Sequence, residues 1–132
     1  MPRNIRMMDR AASPLVVFLV EDNALIRDNL IVALEELVDM RVVAWAESEG
    51  AAADWLREHP DGWQLAVIDL FLRDGSGLGV LQACRERKSR QRAVVLTNYA
   101  DVDIRAQCLA MGADAVFDKS TELDAFLEFC ER

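Results

Sequence analysis

An α/β fold built on a parallel sheet is the fold class this sequence predicts, and three features predict it. Five short runs are apolar and rich in β-branched residues with no polar alternation, as in strands buried on both faces. The stretch after each run changes to helical spacing of its apolar residues. The joints carry cap and turn residues that stop one pattern and start the next.

The first run is LVVFLV (15–20). ALIRDNLIVALEEL (24–37) follows as a helix, with Ile26, Leu30, Ala33, Leu34 and Leu37 on one apolar stripe. MRVVAWA (40–46) reads as a strand and EGAAADWLREH (49–59) as a helix capped by Ser48. Pro60-Asp61-Gly62 then forces a turn. LAVID (65–69) is a strand and GLGVLQACRERK (77–88) a helix. AVVLT (93–97) is a strand and DVDIRAQCLAMG (101–112) a helix that Gly112 ends in the left-handed conformation. AVFD (115–118) is the last strand. TELDAFLEFCER (121–132) is the last helix, opened by Ser120 or Thr121, with Glu122 and Asp124 at its positive end. Strands and helices alternating in this way give a parallel sheet covered by helices on both faces.

The length of 132 residues suits one domain, and 52% hydrophobic with 29% charged residues suits a globular one. The net charge is −8, but Arg3, Arg6 and Arg10 against Asp9 make residues 1–14 basic, leaving −10 on residues 15–132. Such acidity disfavours nucleic acid and anionic lipid and suits a cation or a basic partner. Residues 1–14 read as a flexible tail, with Met7 and Met8 as alternative starts, and 15–132 as the folded domain. Cys84, Cys108 and Cys130 form no CxxC or Cys/His cluster, so neither zinc nor a disulfide framework is indicated, and reduced thiols fit a cytoplasmic location. No run is long enough to cross a bilayer, and residues 1–14, with arginines but no apolar stretch, are not expected to act as a signal peptide. The three tryptophans, Trp45, Trp55 and Trp63, are expected to pack around the second helix, and the lone His59 to sit exposed at that helix's end.

Ligands of parallel sheets bind beyond the carboxyl ends of the strands. Those ends supply Glu21 and Asp22, then Asp69, Thr97 and Lys119. Three carboxylates at one sheet edge repel each other unless a cation or a raised pKa relieves them. Oxygen ligands without histidine or thiolate favour a hard ion such as Mg2+. Asp69 follows four apolar residues and is the hardest to explain as solvated charge. It suits a nucleophile that forms an acyl phosphate. Asp22 binds the metal; Glu21 binds it or holds a metal-bound water. Lys119 neutralises the phosphoryl group or Asp69, and Thr97 donates its hydroxyl to a phosphoryl oxygen. Singly, each has a plainer account: a helix cap for Asp22 and Asn23, a solvated charge for Glu21 or Lys119, a β-branched strand residue for Thr97.

VFLVEDN, LAVIDLFLRDGSGL, VVLTNYA and GADAVFDKS resemble the signature blocks of bacterial response-regulator receiver domains, the resemblance covering residues 15–132. It implies a doubly wound, flavodoxin-like sheet in the order 2-1-3-4-5. It implies Mg2+ at Glu21, Asp22, Asp69 and the backbone carbonyl of Phe71. Asp69 would be the phospho-acceptor, supplied by a sensor histidine kinase or a histidine phosphotransfer protein. Thr97 would be the switch hydroxyl and Lys119 the family's lysine. The last two helices and strand five would form the interaction or homodimer face, in the region of Cys108, Met111, Leu127 and Phe129.

The chain departs from the family pattern in three places. Val116 stands where an aromatic is usual, and Phe117 should face the opposite side as core. Ser120, not proline, follows Lys119, so nothing favours a cis bond there. Asn98 replaces a residue that is often small, so it narrows the approach to the acceptor or hydrogen-bonds a phosphoryl oxygen. In the family the positions of Phe71 and Tyr99 border the path of a hydrolytic water, so two large rings there are expected to slow loss of the phosphoryl group. The function expected is a single-domain regulator with protein–protein output and no direct DNA binding, which catalyses only its own phosphorylation and dephosphorylation and is not a dedicated turnover enzyme. The alternative is a degenerate receiver that binds partners without phosphorylation. A phosphatase is disfavoured because Phe71 stands where a second aspartate would be needed.

Overall fold

The computed structural model describes residues 14–132; the expected tail and the choice of start lie outside the described residues, Pro14 excepted. The strands are β1 (Leu15–Val20), β2 (Met40–Ala46), β3 (Leu65–Ile68), β4 (Arg92–Thr97) and β5 (Ala115–Asp118). They alternate with α1 (Ala24–Leu37), α2 (Glu49–Glu58), α3 (Gly77–Ala83), α4 (Val102–Ala110) and α5 (Leu123–Cys130). All strand pairs are parallel and the order is β2-β1-β3-β4-β5, as expected.

The pleat divides the core into two layers. Val17, Leu19, Val67, Val94 and Leu96 pack with Leu30 and Leu34 of α1 and Phe126 and Cys130 of α5. Phe18, Val20, Ile68, Val95 and Val116 pack with Ala52 and Leu56 of α2, Val80 and Leu81 of α3, and Cys108 of α4. Phe117 turns away from Val116, as expected, and meets Phe126 and Phe129, but it is only partly buried and packs against this core from its edge. All three cysteines are free and buried. Among the described residues no helix is long and apolar enough to cross a membrane.

Several details differ from the sequence expectation. The third helix stops at Ala83, not residue 88, because Arg87 folds back and donates to the carbonyls of Cys84, Gln91 and Gly112. Neither Ser120 nor Thr121 caps α5. Their N–H groups donate to Asp118 Oδ1, and Glu122 occupies the cap position without a side-chain bond to the helix. Asn23, not Asp22, caps α1, accepting from the Ile26 N–H. Leu37 is 69% exposed at the helix end, and the buried stripe runs through Arg27, Leu30 and Leu34 instead. Trp45 is 54% exposed beneath the Arg27 guanidinium and takes no part in packing α2. Trp55 stacks on Phe18 and on the exposed His59, and Trp63 is buried in the α2–α4 layer. Gly112 has φ +105°, as its helix-ending position requires.

Candidate functional site

The sheet's hydrogen bonds run on past the strands and bring the predicted residues to one edge. Glu21 N–H donates to the Ala46 carbonyl, Asp69 N–H to the Val20 carbonyl, and Lys119 N–H to the Thr97 carbonyl. Gly77, at the start of α3, lies against the acceptor strand. Its N–H reaches the Leu70 carbonyl at 2.8 Å, and a Cβ there would sit 2.4 Å from the Asp69 carbonyl oxygen. Only glycine lets the helix approach this closely.

Glu21, Asp22, Asp69, Thr97 and Lys119 therefore line one cleft, joined by Asn23, Ile26, Phe71, Asn98 and Tyr99. Glu21, Asp69 and Thr97 are buried. One carboxylate oxygen from each of Glu21, Asp22 and Asp69 lies within 4.8 Å of the others. Lys119 Nζ sits between two of them, 2.5 Å from Glu21 Oε1 and 3.3 Å from Asp69 Oδ2. Lys119 within the cleft and the exposed Arg73 guanidinium beside Asp22 are two positive charges against three carboxylates, which leaves the cleft negative. Its all-oxygen donor set fits a hard divalent cation.

The electrostatics separate the two aspartates. Burial pushes the Asp69 carboxyl up from 3.8 to about 6; Lys119 opposes this and the Glu21 charge adds to it. Asp69 is therefore largely ionised at neutral pH, as a nucleophile requires. Asp22 moves the other way. Burial raises its carboxyl, but the Arg73 N–H and the Arg73 guanidinium outweigh that and hold it below the usual value. Arg73 was passed over in the sequence. Its signal there was a charged residue in the turn Arg73-Asp74-Gly75-Ser76 just beyond the acceptor.

At the mouth, the Phe71 and Tyr99 rings meet edge to face, centroids 5.1 Å apart. Thr97 Oγ1 accepts the Tyr99 N–H at 3.3 Å, which leaves the hydroxyl proton free to donate. Arg105 bonds to the backbone of Val116, the position where the resemblance leads one to expect an aromatic. Its guanidinium donates to the Ala100 and Val116 carbonyls and to Glu122 Oε1. Every peptide bond among the described residues is trans, Lys119–Ser120 included.

Residues 17–131 match the response regulator receiver domain family. The photosynthetic apparatus regulatory protein RegA of Rhodobacter capsulatus is 44% identical over 57 residues, which are 43% of this chain and 31% of RegA. The virulence transcriptional regulatory protein PhoP of Salmonella typhimurium is 33% identical over 109 residues, 82% of this chain and 46% of PhoP. The chain thus spans half or less of the length of these relatives. The response regulator domain of Thermotoga maritima CheB superposes with a TM-score of 0.77 at 19% identity, over 89% of this chain and 94% of that domain.

Proposed function

The chain belongs to the response regulator receiver domain family of two-component signalling, and from that premise we propose that Asp69 is its phospho-acceptor. The donor is a phosphohistidine on a sensor histidine kinase or a histidine phosphotransfer protein. One observation carries the proposal: the buried Asp69 carboxylate stands at the end of a central strand, between Lys119 and the Glu21–Asp22 pair.

Each residue then has a task that its position supports. An Asp69 oxygen attacks phosphorus; the O–P bond forms as the N–P bond breaks, and the electron pair leaves with the partner's imidazole. Lys119 stays within reach of both the acceptor and Glu21, and balances charge on the transferring group. Thr97 donates its hydroxyl proton to a phosphoryl oxygen. Glu21, Asp22, Asp69 and the Phe71 carbonyl hold Mg2+, which when bound supplies positive charge against the carboxylates and phosphoryl oxygens. An apolar groove bounded by Ile26, Leu30, Ala33 and Leu123 opens beside the cleft and shares Lys119 and Asn98 with it. We assign the docking of the histidine-bearing partner to that side.

The output we propose is protein–protein contact through α4, β5 and α5, where Val102 and Leu109 are exposed. The net charge of −10 on residues 15–132 argues against this domain itself touching DNA. The test is the intact mass of the chain after incubation with acetyl phosphate. A gain of one phosphoryl group with Mg2+, lost with chelator and in Asp69→Asn, supports the reading. The same gain in Asp69→Asn sinks it.

A further inference from the structure

The loop between β3 and α3 carries a cation with no task in the proposed reaction. Arg73 lies four residues beyond Asp69 and closes on Asp22 from two sides. Its backbone N–H donates to Asp22 Oδ2 at 2.7 Å. Its guanidinium flanks the same residue, Nε 3.5 Å from Oδ2 and Nη2 donating to the Asp22 carbonyl at 3.3 Å. The Asp22 side chain is mostly buried, whereas that of Arg73 is 82% exposed.

The clasp therefore has a fixed half and a loose half. The fixed half is the backbone donor, because the loop is held. Phe71 pairs with Ser76 across the loop, Ser76 N–H donates to Glu49 Oε1 at 2.9 Å, and Glu49 N–H donates to the Asp74 carbonyl at 3.1 Å. Gly75 at φ +90° accepts this closeness; a Cβ there would meet Glu49 Cβ at 2.4 Å. The loose half is the guanidinium, hinged on an exposed stem. Lys119 counters Glu21 and Asp69. The counter-charge beside Asp22 is Arg73.

We propose that the Arg73 guanidinium is an internal competitor for the divalent cation at Asp22. It neutralises that carboxylate in the metal-free protein and swings into water when the ion binds, which lowers the site's affinity. The backbone N–H stays bonded to Oδ2 throughout and leaves the carboxylate's other oxygen for the ion. This inference rests on the reading of Glu21, Asp22 and Asp69 as a cation site.

Mg2+ titrations of the whole chain, followed by amide chemical shifts at constant ionic strength, separate the two. The Kd for Mg2+ is expected to fall about two- to fivefold in Arg73→Ala and in Arg73→Gln, the range an exposed ion pair supports. Arg57→Ala, which removes a positive charge from α2, is expected to leave the Kd unchanged. An unchanged or raised Kd in both Arg73 variants overturns the proposal while leaving the cation site standing. Equal tightening in Arg57→Ala overturns it too, since net charge alone would then be the cause. No saturable shift in any of the four proteins overturns the cation site itself, and the proposal with it.

Discussion

Replacing Asp69 by asparagine is expected to stabilise the protein, because the fold resists ionising this carboxyl. Its pKa rises from 3.8 to about 6, chiefly through burial and with Glu21 adding, while Lys119 opposes. A rise of about two units corresponds to about 3 kcal/mol. The folded pKa is raised, so the stability gained from protonated Asp69 is complete below pH 3.8 and lost as the pH passes about 6. At pH 8 the wild type therefore bears a buried charge that asparagine lacks. Lys119 keeps Glu21 as a partner in the variant. We expect Asp69→Asn to be more stable by about 1–3 kcal/mol at pH 8, or roughly 4–10 °C in Tm for a domain of this size. At pH 5 most of the wild-type Asp69 is protonated, and the gap should shrink by roughly 1 kcal/mol. Thermal unfolding followed by circular dichroism, in chelator at both pH values, measures this. A variant no more stable than wild type at pH 8, or a gap of the same size at both pH values, would refute the reasoning.

Three further outcomes follow from the same geometry. Lys119→Met should raise the Asp69 pKa above about 6, because the Lys119 charge lowers it; a carboxyl-carbon NMR titration showing no rise would contradict this. Gly77→Ala should cost about 1–3 kcal/mol in denaturant unfolding, since its Cβ would press on the Asp69 and Leu70 backbone; a neutral result would mean that α3 gives way freely. Phe71→Asn and Tyr99→Ala should each shorten the lifetime of the phosphorylated chain by up to roughly tenfold, equivalent to about 1.4 kcal/mol of barrier. Unchanged lifetimes would show that the ring pair does not exclude water.

The strands were legible to within a residue at their ends because each is buried on both faces and must be apolar throughout. That legibility carried the site, since Glu21, Asp69, Thr97 and Lys119 are read directly from where those runs stop. Helix ends were less legible, because distant hydrogen bonds decide them. Arg87 reaching Gly112 ends α3 early, and Asp118 gathering the Ser120 and Thr121 N–H groups delays α5. Periodicity placed Leu37 in the core, yet the helix ends at that residue and the chain turns away through Asp39 at φ 51°. Trp45 was assigned to α2 from closeness in sequence, but the β1–β2 register skips Val43, and this irregularity reverses the faces of β2 and turns Trp45 to the α1 side with Arg27. Arg73 stayed hidden because its partner Asp22 lies 51 positions away and meets it only when β1 and β3 pair.

The claim on which the rest depends is that the phosphoryl group resides on Asp69. Borohydride reduction of the phosphorylated chain converts an aspartyl phosphate to homoserine, and peptide mass mapping locates the change. Homoserine at position 69 alone, formed only after incubation with phosphodonor and Mg2+, is the expected result. Homoserine at position 22, or a phosphoryl group on Ser76, Thr97 or His59 with Asp69 intact, would contradict the account.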